Sequence, residues 1–397
     1  MKKNIANRPS RLSRISCRLF LVSLVALAGD VALGAPNYFS RVWLRENGLP
    51  QNKVASVLQT HDGYLWIGTY NGLARFDGVR FVCYDGGNTP ELADSLVTSL
   101  FETQDGTLWI GHETGEVTSY TQGHFRSAGS MVHWAKKRIL DIGADETGEV
   151  WLFNDDGLLA RVRDGLVLTP ESGWETNVVE MTRSGRGTIW VGRAGRVSVL
   201  HQGAVTPLDF EAGETNHLVT AIGASRDGGL WMMVEGRLRK WKDGIWTEDR
   251  GAAPFGWSPM LKLMESRNGT LMGATSDLGF AMVFADGTVS KFGRATGFPS
   301  DWVIDLCEDR EGNCWAGTGG GGLAMIRESS VQPLAPPDLW QGRAVLSVCF
   351  DDENAMWVGT EGAGLYCRQN GAWTNFAVGP VWPIRISGRW RKTRTAI

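Results

Sequence analysis

Asn47-Gly48-Leu49-Pro50-Gln51-Asn52-Lys53-Val54, continued by Asp62-Gly63-Tyr64-Leu65-Trp66-Ile67-Gly68-Thr69 and by Gly72-Leu73-Ala74-Arg75-Phe76-Asp77-Gly78, is one copy of a pattern that repeats along the chain. Its centre, an apolar-Trp-apolar-Gly segment, recurs as Leu108-Trp109-Ile110-Gly111, Ile189-Trp190-Val191-Gly192 and Met356-Trp357-Val358-Gly359. Trp151, Trp231 and Trp315 anchor weaker copies, and Met272 takes the Trp place once. Successive anchors stand 39 to 43 residues apart. Twelve residues before them lie Val54, Val97, Ile139, Val178, Val219, Met260, Val303 and Val345. Nine before them lie Val57, Leu100, Ile142, Met181, Ile222, Leu263, Leu306 and Val348. Every one of these positions is apolar, which chance does not produce.

Each unit reads as four strands. The first carries the two apolar positions and ends in a tight turn such as Asp62-Gly63, Asp105-Gly106 or Asp227-Gly228; the Trp strand follows. A Gly leads into a third strand, and Asp77-Gly78, Asp164-Gly165, Asp243-Gly244 or Asn370-Gly371 turns the chain into the fourth. Asp-Gly and Asn-Gly favour hairpins because their backbone twist matches that of the strands they join. Four-stranded antiparallel units at this period predict an all-β fold of propeller blades, with the Trp residues packing blade on blade.

The seventh unit lacks a fourth strand: after Arg327 there is no Asp-Gly turn, and Pro333, Pro336 and Pro337 follow. Tyr38–Leu44, ahead of the first unit, looks like the missing outer strand. Residues 35–327 therefore read as one seven-bladed β-propeller closed by the N-terminal strand, which leaves no unpaired edge. Residues 328–344 read as a linker and 345–378 as an eighth blade-like repeat opening a second propeller. Residues 379–397 form an aperiodic basic tail. A single blade cannot bury both faces, so the ending reads as a truncated or frame-shifted second propeller.

Residues 1–34 read as a secretory signal peptide. Lys2, Lys3, Arg8, Arg11, Arg14 and Arg18 precede the short apolar run Leu19–Ala28, and Ala32-Leu33-Gly34 offers small residues for cleavage. A periplasmic or extracellular location follows, and no stretch of the mature chain is long enough to span a bilayer. The net charge of −3 becomes −8 without residues 1–34, and −13 for residues 35–378 once the basic tail is set aside. An acidic body argues against nucleic acid and anionic lipid as partners, and against a polysulphated ligand unless one local patch is basic. Cys83, Cys307, Cys314, Cys349 and Cys367 have no framework spacing.

With its Asn-Gly-Leu-Pro-Gln-Asn lead and Asp-Gly-Tyr-Leu-Trp-Ile-Gly-Thr strand, the first unit resembles the two-component regulator propeller repeat. The second and eighth units match it well, and those between are degenerate. The resemblance implies the extracytoplasmic sensor region of a hybrid histidine kinase or diguanylate cyclase, in a family often linked to glycan breakdown products. The family's second propeller, membrane helix and output domain are not read in these 397 residues, and a separately encoded or lost output module is the expectation.

No catalytic constellation is legible. The six His show neither H-x-H nor H-E-x-x-H spacing, so neither a metal nor a cofactor is expected. Two polar sets remain for a small-molecule or oligosaccharide ligand. Fourteen residues ahead of the anchors stand Asn52, Ser95, Lys137, Thr176, His217, Ser258 and Asp301, at one mouth of a central channel. They suit a hydroxyl-rich ligand, or they are simply turn-forming residues. Trp134, Trp174, Trp257 and Trp302 lie in the same connections and offer stacking faces for sugars, or pack beneath loops. The alternative is a secreted lyase or hydrolase, for which His217 with Asp301 is the one pair that can be assembled; a non-functional gene product is a third reading.

Overall fold

The computed structural model describes residues 38–130, 137–163, 166–168, 178–184, 187–193, 196–201, 204–208, 219–256, 258–329, 334–336 and 338–376. The expected signal peptide and basic tail lie outside them. The chain divides into two compact units, Met1–Ser329 and Ser330–Ile397. Among the described residues both are all-β, with short 3-10 turns and no α-helix.

The first sheet of the first unit runs Val54–Gln59, Leu65–Thr69, Gly72–Phe76, Phe81–Tyr84, each strand antiparallel to the last. The same order recurs in sheets whose innermost strands are Val97–Glu102, Ile139–Ala144, Val178–Arg183, Val219–Ala224 and Met260–Glu265. The sheet beginning with Val303–Glu308 has three strands of its own. Its fourth is Tyr38–Trp43, antiparallel to Leu323–Glu328, with Tyr38 opposite Glu328 and Trp43 opposite Leu323. Innermost strands touch their neighbours in chain order, and Val303–Glu308 touches Val54–Gln59, so the circuit closes. This is a β-propeller architecture.

The apolar pair three residues apart has a specific cause. In a regular strand such positions face opposite sides. Every innermost strand here carries a bulge between them, as where Val54 pairs with Thr69 but Ser56 already pairs with Gly68. One extra residue brings Val54 and Val57 to the same face. Val54, Val97, Ile139 and Val303 are then fully buried, and Val57, Ile142, Ile222 and Leu306 nearly so. The anchors pack between sheets: Trp66, Trp151 and Trp231 are fully enclosed. Trp43 on the closing strand stacks on Trp315 at 5.2 Å and meets Phe76 of the first sheet edge-on at 5.4 Å.

Hydrogen bonds repeat from sheet to sheet as well. Glu102 accepts from the His61 N–H at 2.8 Å, Glu265 from Arg226 at 2.8 Å and Glu308 from Arg267 at 2.9 Å. Gln59 accepts from Arg310 at 2.8 Å and makes the same link across the closure. Each ties a turn N–H of one sheet to the inner strand of the next.

The second unit holds one sheet, Val345–Phe350, Met356–Thr360, Leu365–Gln369, Ala372–Phe376, with the same bulge. Its inner strand is bare: Val345 is 43% and Val348 54% exposed, where Val54, Val97, Ile139 and Val303 and all the counterparts of Val348 in the first unit are buried.

Candidate functional site

At one end of the ring the innermost strands begin and the Trp strands finish. A backbone hydrogen bond joins the two there in five of the sheets. Tyr70 N–H donates to Lys53, Glu113 to Leu96, Asp155 to Arg138, Ser276 to Pro259 and Gly319 to Trp302, at 2.9 to 3.2 Å. The side chains at this joint form the mouth of the ring. Those of four adjacent sheets meet. Lys53 Nζ lies 3.7 Å from the centre of the Tyr70 ring and 4.8 Å from that of Trp302, on the neighbouring sheet. Lys53 also pairs by backbone with Gly319, and a Cβ at Gly319 would run into the Trp302 ring. Glycine is therefore what lets the indole lie against that strand. Arg138, from the third sheet, hydrogen-bonds Asp155 at 2.9 Å and reaches Glu113 at 4.0 Å. Burial lowers its pKa, but Asp155 above all, then Glu113 and a hydrogen bond with the Tyr70 side chain, hold it above the ordinary value. Trp302 keeps 39% of its surface open to solvent.

The strand-start residues predicted as a ring behave differently. Asn52 Oδ1 accepts from Arg45 N–H at 2.7 Å, and Asp301 Oδ1 from Arg294 N–H at 2.7 Å. Ser95 Oγ accepts from Gly86 N–H at 3.2 Å, Ser258 bonds Asp277, and Lys137 stands 3.8 Å from Asp156. Their carbonyls also link neighbouring sheets: Ser95 O accepts from Gly72 N–H, Asp301 O from Gly279 and Asn52 O from Gly322. These side chains shape the loops. Thr176, His217, Trp134, Trp174 and Trp257 lie outside the described residues. Of the predicted Trp set, Trp302 is the described member, and it stands in the mouth.

Deeper in the channel lies a cluster that sequence reading missed. Ten residues before each anchor stand Ser56, Ser99, Asp141, Glu180, Ala221, Lys262 and Asp305. Lys262 Nζ is 3.5 Å from Asp305 Oδ1. Asp305 Oδ2 accepts from the Ser56 hydroxyl at 3.1 Å and from Val57 N–H at 2.8 Å, across the closure. Glu180 accepts from Ile222 N–H at 2.8 Å. The carboxylates of Asp305, Asp141 and Glu180 hold the Lys262 ammonium well above its usual pKa, against burial. Lys262 retains 37% of its side-chain surface. Burial pushes the Glu180 carboxyl up to about 8 and raises Asp141. A polar residue recurring at one register was visible in the sequence, but nothing in it said which face the bulge would turn inward. Among the described residues no group of three His, Cys, Asp or Glu is arranged to hold a metal ion.

A family model described as two-component regulator propeller matches residues 48–71, 91–114 and 297–320. Those three segments carry the two-component regulator propeller repeat. They include the mouth residues Lys53, Tyr70, Glu113, Trp302 and Gly319. Its fold is similar to the extracellular domain of a hybrid two-component system from B. thetaiotaomicron, with TM-score 0.63 and 18% identity, over 85% of this chain and 49% of that one. The extracellular domain of a one-component system from the same organism gives TM-score 0.58 and 17% identity, over 87% and 48%. Virginiamycin B lyase from Staphylococcus aureus gives TM-score 0.57 and 13% identity, over 74% and 99%. This chain thus spans about half the length of the two extracellular domains. No curated protein matches it. At these identities the likeness establishes the fold alone. No helix among the described residues is long and apolar enough to cross a membrane.

Proposed function

We propose that the first unit is a closed seven-bladed ligand-binding propeller, the extracytoplasmic sensing part of a two-component-type receptor, with a carbohydrate-like ligand at its mouth. The observation that carries this reading is the meeting of Trp302, Lys53, Tyr70 and Arg138 from neighbouring sheets. An indole open to solvent, beside fixed N–H donors and carboxylates, suits the flat apolar face and directed hydroxyls of a sugar. The repeat family and the extracellular origin of two structural relatives support it. The lyase reading has the fold in common, but its His217 lies outside the described residues and Asp301 is committed to a loop.

The test is a fluorescence titration of the full chain with oligosaccharides of varied ring and linkage. Binding by some member, weakened at least tenfold in Trp302→Ala with an unchanged melting temperature, is the expected result. If no sugar binds, or if the variant binds like the parent, the mouth is not the ligand site.

A further inference from the structure

We infer that the mouth selects an acidic saccharide, one whose sugar ring bears a carboxylate or sulfate; this rests on the reading of the mouth as a sugar site. The cations there are not equivalent. Arg138 is neutralised by Asp155 and Glu113, and Lys137 faces Asp156. Lys53 has no carboxylate within ion-pair distance among the described residues; its neighbours are the Tyr70 and Trp302 rings. Those rings hold the ammonium in place through their π faces. They consume none of its charge as an anion would, so its N–H donors remain available for a charged acceptor.

The placement also fits a sugar. Lys53 Nζ lies over the Trp302 ring, 4.8 Å from its centre, so a pyranose packed against the open part of the indole brings an acidic substituent to the ammonium. The acidic body opposes this only at long range, where salt screens it. At contact, a charge-assisted hydrogen bond outweighs it.

The experiment compares hexuronate oligosaccharides with neutral oligosaccharides of the same configuration and length, and with sulfated counterparts of the neutral set. The titrated proteins are the full chain and its Lys53→Gln and Lys53→Arg variants, each checked for an unchanged melt. The expected result is acidic binding roughly tenfold to a hundredfold tighter than neutral. Lys53→Gln should abolish that difference, bringing acidic and neutral binding to the same level within the variant, and Lys53→Arg should keep it. The uronate and sulfate arms show which acid is preferred. Equal affinity for acidic and neutral sugars overturns this inference and leaves the sugar site standing. Binding of none of the three sets overturns both. A preference that survives Lys53→Gln places the selecting charge elsewhere and also overturns the inference.

Discussion

The anchor Trp residues are placed by their indole N–H as well as by burial. Asp145 accepts from Trp151 Nε1 at 3.0 Å, Asp309 from Trp315 at 2.7 Å and Asp351 from Trp357 at 2.7 Å. The same Asp309 carboxylate takes the N–H groups of Glu311 and Asn313 at 3.0 and 2.8 Å, so one side chain both folds the turn and fixes the anchor. Thr103 and Ser225 occupy this place in other sheets, and there the N–H groups of Trp109 and Trp231 are buried without a partner. Asp309→Ala should cost roughly 2–4 kcal/mol, because it strands a buried donor and several turn N–H groups. Denaturant unfolding measures it, and a loss under about 0.5 kcal/mol would show that the anchor needs no partner. The repeated Asp six residues ahead of Trp was in plain view in the sequence; its bond to the indole was not, because only the folded hairpin brings the two together.

At the scale of the strand, one sequence pattern has two physical outcomes. Val57 in the first unit is 4% exposed and Val348, its counterpart in the second, is 54% exposed. Both follow a bulge and both face the side that a neighbouring sheet covers within the first unit. Val57→Lys should therefore destabilise by more than about 3 kcal/mol, since a charge enters a packed interface without a partner. Val348→Lys should stay within about 0.5 kcal/mol of the parent and improve solubility, because it breaks up a bare run of Leu346, Val348 and Phe350. Paired thermal melts decide it; comparable losses in both variants would mean that Val348 is covered in solution. Strand number, strand order and hairpin turns were legible from the period and the Asp-Gly spacing. The bulge was legible only indirectly, as an apolar spacing of three that no regular strand explains.

For the ring as a whole, the channel charges couple stability to pH. Glu180 is buried, with the Asp141 carboxylate nearby opposing its ionisation and the Ile222 N–H and Lys262 favouring it; burial wins, and its pKa rises to about 8. The folded state then holds a proton that the unfolded chain releases near pH 4.5, so Glu180 favours folding at low pH. That contribution is lost as pH rises through about 8. Raised Asp141 acts in the same direction. Between pH 5 and 8.5 the first unit should lose stability, and Glu180→Gln should remove a share on the order of 2 kcal/mol from that decline. Melting temperatures of parent and variant across this range test it, and parallel pH profiles would mean that Glu180 ionises freely.

The sequence by itself determined the repeat, the four-stranded unit and the propeller class, because these depend on local periodicity and turn chemistry that every copy restates. It also pointed to Trp302. Only the tertiary structure decided that the strand-start side chains serve loops, that Lys53 and Arg138 one residue further on occupy the mouth, and that Asp141, Glu180, Lys262 and Asp305 meet in the channel. Those groups are 39 to more than 160 residues apart in the chain. What brings them together is closure of the ring, and the bulge in each inner strand decides which of its side chains turn inward.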